Sequence, residues 1–123
     1  MNQSQPILQQ AVGVETTRQS HTPLFGKGLH LPVACTIDLS TASDQQTSIT
    51  VHMLQGDSLE AKECQHLTNF MITGIASGQP RREPKLKVTF AIDANGTLEC
   101  QATELPEQQL AVAGGPVSVA IDA

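Results

Sequence analysis

The chain has 123 residues, with seven Lys and Arg against twelve Asp and Glu (net charge −5), three Phe and no Trp or Tyr. That length fits one domain able to bury a core of its own, and leaves no room for a second. An acidic balance without a basic stripe excludes a nucleic-acid surface, and the scarcity of aromatics removes the platforms on which bases and sugars stack.

Residues 1–10 are Gln-rich and polar apart from Ile7 and Leu8, and are expected to be disordered or a tail ahead of a folded unit spanning 11–123. No basic leader or long apolar run is present there, so the expectation is a cytoplasmic chain without a membrane span. Val12 to Thr17 reads as a short strand, Arg18 to Pro23 as a loop or turn before Leu24-Phe25, and Gly26-Lys27-Gly28 as a turn. Val33, Cys35, Ile37 and Leu39 share one parity with Ala34, Thr36 and Asp38 on the other, the pattern of a half-buried strand. The polar connection 40–46 is short, which implies an antiparallel pair with the strand that follows.

That strand, Thr47 to Gly56, alternates Ile49, Val51 and Met53 with Thr50 and His52, turning one face to a core and the other to water or a ligand. Asp57 to Leu67 has helix-forming composition but is too short for more than a turn, with Ser58 as a candidate cap. Asn69 to Gly74 returns as a strand with Phe70 and Ile72 inward, and the Gly- and Pro-bearing segment 76–84 with Arg81-Arg82 reads as a loop. Leu86, Val88, Phe90 and Ile92 define the clearest strand, closed by a hairpin at Asp93-Ala94-Asn95-Gly96 and answered by Leu98, Cys100 and Ala102. Thr103 to Gly115 reads as loop, and Val117, Val119 and Ile121 as a last strand. The sum is an all-β chain, an antiparallel β-sandwich of seven to eight short strands.

Chemistry is sparse. Cys35, Cys64 and Cys100 have no metal-type spacing and read as reduced small hydrophobes, so no metal site is expected. His52 and Asp38 lie on the polar faces of neighbouring strands and are the one pair expected to meet across the sheet. No nucleophile elbow or Gly-rich phosphate loop accompanies them. No catalytic residue is assigned, and the chain is expected not to be an enzyme.

Several motifs fall in an order that resembles the peptide-binding β-sandwich of the DnaK-type 70 kDa heat-shock chaperones. They are Val12-Gly13-Val14-Glu15-Thr16, Ile37-Asp38-Leu39-Ser40, Thr50-Val51-His52 with Gln55-Gly56, Asn69-Phe70, and Val88-Thr89-Phe90-Ala91-Ile92-Asp93. The resemblance covers about residues 11–102. It implies a channel at one end of the sandwich that holds short extended hydrophobic segments of unfolded proteins. Its peptide-binding positions fall on Val14, Glu15, Thr16 and Thr17 in a first loop, Leu39, Ser40, Ala42 and Gln46 around a second, and Ile49 and Val51 on the following strand. Where the family closes an arch with a large apolar residue opposite a small one, this chain has Thr17 opposite Ala42, which implies a more open arch and faster release.

In the family a hydrophobic linker enters ahead of the sandwich and a helical lid follows it. Here Asn2 to Pro6 stand at the entry and the chain ends at Ala123, so no lid is expected. The chain itself is expected to need no cofactor, with ATP relevant only if a separate ATPase domain exists. The implied partners are unfolded polypeptides, a J-domain co-chaperone if the chain belongs to a full-length chaperone, and neighbouring copies whose channels accept Ile7-Leu8; nucleic acid and membrane are not among them. The alternative is a sandwich that docks one specific protein partner or self-associates, without chaperone activity.

Overall fold

A computed structural model of the chain describes residues 6–16, 20–41, 44–75, 85–105 and 108–122. The strands are Ile7–Leu8 (β1), Val12–Thr16 (β2), Ser20–Phe25 (β3), Val33–Leu39 (β4), Ser48–Gln55 (β5), Gln65–Thr73 (β6), Leu86–Ile92 (β7), Thr97–Glu104 (β8), Gln108–Ala113 (β9), Val117–Ser118 (β10) and Ile121–Asp122 (β11). One 3-10 turn, Ala61–Glu63, interrupts them, and no α-helix occurs among the described residues. The Ser58 hydroxyl accepts the Glu60 amide at 3.0 Å and donates to the Glu63 carboxylate at 2.7 Å, which fixes the approach to that turn.

The strands pair antiparallel in the order β3-β2-β5-β6-β9-β8-β7-β4, with β10 also on β8 and β1 with β11 apart. The fold is an all-β antiparallel sandwich, nearly a barrel. β9 pairs with β6 through Ala111–Ala113 and with β8 through Gln108–Leu110, so it carries the chain from one sheet to the other. Between the layers lie Val12, Val51, Met53, Phe70, Ile72, Leu86, Val88, Phe90, Ile92 and Leu98, all buried. The Phe70 and Phe90 rings meet there with centroids 6.2 Å apart. Each such side chain contributes about 1.5–3 kcal/mol of apolar burial. The turn after β7 forms as its Asn-Gly sequence requires: Gly96 has φ +80°, and the Asp93 carboxylate accepts the amides of Asn95 and Thr97.

Four expectations are corrected. Residues 20–23 are not loop but the first four of the six residues of β3, because β3 ends the strand order and an edge strand tolerates Pro23, whose missing N–H has no ladder to break. Residues 103–115 are not all loop: Leu110 and Val112 point inward from β9, an alternation concealed by Gln108-Gln109 before it and Gly114-Gly115 after it. β4 and β5 do not pair; β4 pairs with β7 and β5 with β2 and β6, so their short connection crosses from sheet to sheet. The expected tail over residues 1–10 does not hold for residues 6–10. Ile7–Leu8 pairs with Ile121–Asp122, Leu8 is fully buried, and its amide bonds the Leu29 carbonyl at 2.9 Å. Leu8 is thus committed to the chain's own core rather than offered to a neighbour. The loop expected over 76–84 lies outside the described residues.

Because every pairing is antiparallel, the ends of β2, β4, β6 and β8 and the starts of β3, β5, β7 and β9 lie at one end of the sandwich. The β1–β11 pair and β10 sit at the other.

Candidate functional site

The ladder between β2 and β5 joins Val12 to Gln55, Gly13 to Leu54 and Val14 to Met53, and stops there. β2 runs on through Glu15 and Thr16 against β3 alone, while the other half of β5, Ser48 to His52, pairs with β6 alone. The two strands therefore part at their shared end. Among the described residues, the β5 edge that faces β2 has no ladder partner from Ser48 to His52, and such an edge presents N–H and C=O groups that can pair with another extended chain.

Apolar side chains flank the opening. Val14, Val51 and Ile49 lie on the core-facing side of β2 and β5, with Ile49 registered to Ile72 and Val51 to Phe70. Val14 and Ile49 are half-buried, whereas Val51 is only 8% exposed and packs chiefly as core. Leu39, half-buried at the end of β4, is registered to Leu86 at the same end of the sandwich. These four are apolar groups partly or wholly turned inward near one end, Leu39 from the opposite sheet.

The polar candidates divide. Ser40 and Gln46 are half-buried in the β4–β5 connection, and the Gln46 amide donates to the Ser48 carbonyl at 2.6 Å at the start of β5. Glu15 points to the outer face, with its carboxylate 3.8 Å from Nδ1 of His52, so it does not join the apolar group. Thr16 lies on β2 opposite Ser20. Thr17 and Ala42, the expected arch, lie outside the described residues.

The expected meeting of His52 and Asp38 does not occur. His52 is registered to Asn69 and packs its ring against His66 at 6.0 Å, while Asp38 takes Lys87 at 3.2 Å on the other sheet. A different cluster forms that sequence spacing concealed, since its members are 37 and 43 residues apart. His21 is buried on β3, and its Nδ1 donates to the Ser58 carbonyl at 3.0 Å with the Cys64 Sγ 3.3 Å away. The Cys64 thiol donates to the same carbonyl at 3.2 Å. Burial is the main influence pushing the Cys64 thiol up; a backbone hydrogen bond at Ser58 opposes it, and the carboxylates of Glu63 and Asp57 add smaller upward pushes, so the thiolate that a nucleophile needs is disfavoured. Among the described residues no three His, Cys, Asp or Glu side chains gather as a metal site, and no helix is long and apolar enough to cross a membrane.

Comparison with known proteins gives one consistent picture. A family model described as Hsp70 protein matches residues 6–113. The "Chaperone protein DnaK" of Carsonella ruddii (strain PV) is 40% identical over 93 residues, which is 76% of this chain and 15% of that protein. The chain thus spans about 15% of the length of the curated relative it matches.

Proposed function

From the premise that this chain belongs to the Hsp70 protein family, we propose that it is a peptide-binding domain that holds short, extended hydrophobic segments of unfolded polypeptides. The observation that carries the proposal is the parting of β2 and β5 above Val14 and Met53. An extended peptide loses water from every N–H and C=O it buries, and a strand edge that repays those bonds does so whatever the peptide's side chains. Breadth of substrate follows from that.

Selectivity then falls to the apolar flank. One leucine-sized side chain set against Val14, Ile49 and Leu39 gains about 1.5–3 kcal/mol on burial. Ordering a flexible peptide costs much of what the contacts supply, so a Kd on the order of micromolar is expected. Ser40 and Gln46 border the same end and supply polar contacts to the peptide backbone. Binding of this kind needs no activated nucleophile, and the protonated Cys64 thiol offers none. In a longer protein that carries an ATPase, nucleotide turnover and a J-domain co-chaperone would govern loading and release in the cytoplasm.

The test is fluorescence anisotropy with a labelled leucine-centred peptide. Saturable binding is expected, weakened about tenfold or more by Ile49→Phe, which fills the opening, and unchanged by Met71→Phe on the outer face of β6. Absence of binding at about 1 mM peptide, or indifference to Ile49→Phe, would point instead to a sandwich that docks one folded partner.

A further inference from the structure

We infer that β4 is a docking edge for a second copy of this chain, and that two copies join antiparallel along it, about a twofold axis at Thr36, into one continuous sheet. The inference is independent of the peptide-binding reading, since β4 lies in the sheet opposite the β2–β5 opening.

β3 and β4 stand at the two ends of the strand order, so each has one edge without a neighbouring strand. The two edges are finished differently. β3 carries Pro23, and the excursion after β5 covers it: the His21 amide donates to the Leu59 carbonyl at 2.8 Å, and Ser20 bridges to Glu60. Both are devices that stop an edge from recruiting another strand. β4 has neither. Val33 to Leu39 contain no Pro, Gly or Lys, pair with β7 over all seven residues without a register shift, and among the described residues take no backbone bond on the other side.

Parity decides which backbone groups that edge offers. In an antiparallel ladder each residue directs its N–H and C=O to one neighbour, and successive residues alternate between neighbours. At the two ends of the β7–β8 ladder the Asp93 amide donates to the Thr97 carbonyl at 3.0 Å and the Leu105 amide to the Lys85 carbonyl at 2.8 Å, so the odd-numbered residues of β7 bond β8. The even-numbered ones, Leu86, Val88, Phe90 and Ile92, therefore bond β4, at Leu39, Ile37, Cys35 and Val33. Ala34, Thr36 and Asp38 are left with their N–H and C=O groups turned to the open edge.

A second β4 matches that edge in one register. With Thr36 opposite its own counterpart, Ala34 meets Asp38, and every outward-turned residue is paired, about six backbone hydrogen bonds at two for each pair. A register centred on Cys35 sets Asp38 against Pro32, which has no N–H to give, and one centred on Ile37 sets Ala34 against Ser40, beyond the end of β4. Centring on Thr36 also keeps like charges apart: Asp38 faces alanine and retains its own Lys87 at 3.2 Å. On the inner side Val33, Cys35, Ile37 and Leu39 are half-buried, whereas the β7 residues beside them are buried. Pairing sets Val33 against Leu39 and Cys35 against Ile37, so an apolar row left half open is extended by an identical one. Because the edge is its own complement, assembly closes at two copies instead of growing into a fibre. One strand pair is a small interface, and a Kd on the order of 100 μM is expected. The charge of −5 on each copy opposes association, so salt strengthens it.

The test is sedimentation equilibrium from about 10 μM to about 1 mM chain. A monomer–dimer equilibrium is expected, about threefold or more tighter at about 0.5 M than at about 50 mM salt. Thr36→Lys sets two lysines face to face at the axis and should weaken it about tenfold or more, while Ile49→Phe should leave it unchanged. The Thr36 side chain is exposed on the outer face, 2.9 Å from the Thr89 hydroxyl, where a lysine finds room. Cross-linking reads the same register independently: paired Cα atoms about 5.5 Å apart are within disulfide reach, so Thr36→Cys should give linked dimers on mild oxidation well above the level of the unaltered chain. Gln101→Cys, exposed in the same row on β8, should not. If Thr36→Lys loses its β circular dichroism, the cross-link decides. A chain monomeric throughout that range, a dimer indifferent to a folded Thr36→Lys, absence of the Thr36→Cys cross-link, or a dimer abolished by Ile49→Phe would overturn the inference.

Discussion

Gln55 and Ala120 are joined at two points: the Gln55 amide donates to the Ala120 carbonyl at 2.9 Å, and the Ala120 amide donates to Gln55 Oε1 at 2.7 Å. The same Gln55 amide reaches the Gln10 carbonyl at 3.3 Å. With Gln55 only 1% exposed, one side chain stands in for a strand, pairing backbone from both ends of the described chain against the foot of β5.

Gln55→Ala should therefore cost more than a lost contact. It leaves the half-buried Ala120 N–H without a partner, while the Ala120 carbonyl keeps the Gln9 amide at 3.1 Å, so a loss of about 1–3 kcal/mol is expected for the one unsatisfied group. Urea unfolding is the measurement, followed by circular dichroism because the chain has no Trp or Tyr to report by fluorescence. A midpoint that drops at constant m-value is the expected outcome.

How much of this was legible in the sequence differs by element. β5, β7 and β8 announce themselves because each alternates cleanly and ends in turn residues, and Ile49 and Leu39 could be placed on inward parities for the same reason, whereas Val14 is singled out only by the family resemblance. β3 and β9 were concealed by local breakers, Pro23 in one and the flanking Gln and Gly pairs in the other, whose cost depends on an edge position or a neighbour that spacing does not state. Partnership of strands is harder still. A short connection suggests a hairpin, yet the one after β4 changes sheet, and the His21–Ser58–Cys64 cluster joins residues from three separate segments. Tertiary contact, rather than propensity, decides all of these.

Leu8 gives a second test, and a direct one of whether the N-terminal segment is structural. A fully buried leucine replaced by alanine costs about 2–5 kcal/mol. Leu8→Ala, and deletion of residues 1–10, should both lower the thermal midpoint by several degrees, whereas a solvated tail would leave it unmoved. Gln9→Ala, at an exposed neighbouring position, is the control.

Gly114 and Gly28 make a matched pair. Both have positive φ, +103° and +86°, so alanine at either carries about 1–2 kcal/mol of backbone strain. Around Gly28 there is open space, but a Cβ on Gly114 would run into the Asn69 carbonyl oxygen on β6. That approach is fixed further by the Thr68 hydroxyl donating to the Gly114 carbonyl at 2.6 Å. Gly114→Ala should consequently lower stability clearly more than Gly28→Ala in the same urea titration.

Alkaline pH supplies a last prediction, with its sign set by the cysteines. Burial pushes the Cys100 thiol up to about 12 from an ordinary 9.0, and the Cys64 thiol upward by the same principal cause. A folded state that keeps its proton where the unfolded chain has released it binds more protons than the unfolded chain, so stability falls as pH rises. The contribution is whole below about pH 9 and is lost progressively between about 9 and 12. The chain has no tyrosine to titrate in that window, so Cys100→Ala should flatten the decline in urea midpoint, provided the small cavity it opens is allowed for by comparing slopes with pH and not absolute values. Alkylation gives an independent reading: at pH 8 the Cys100 thiolate is a fraction on the order of 10⁻⁴, so iodoacetamide should modify Cys100 far more slowly in the folded chain than in urea. Equal rates in the two states would mean that Cys100 is not held in the apolar setting that Phe90 and β8 give it.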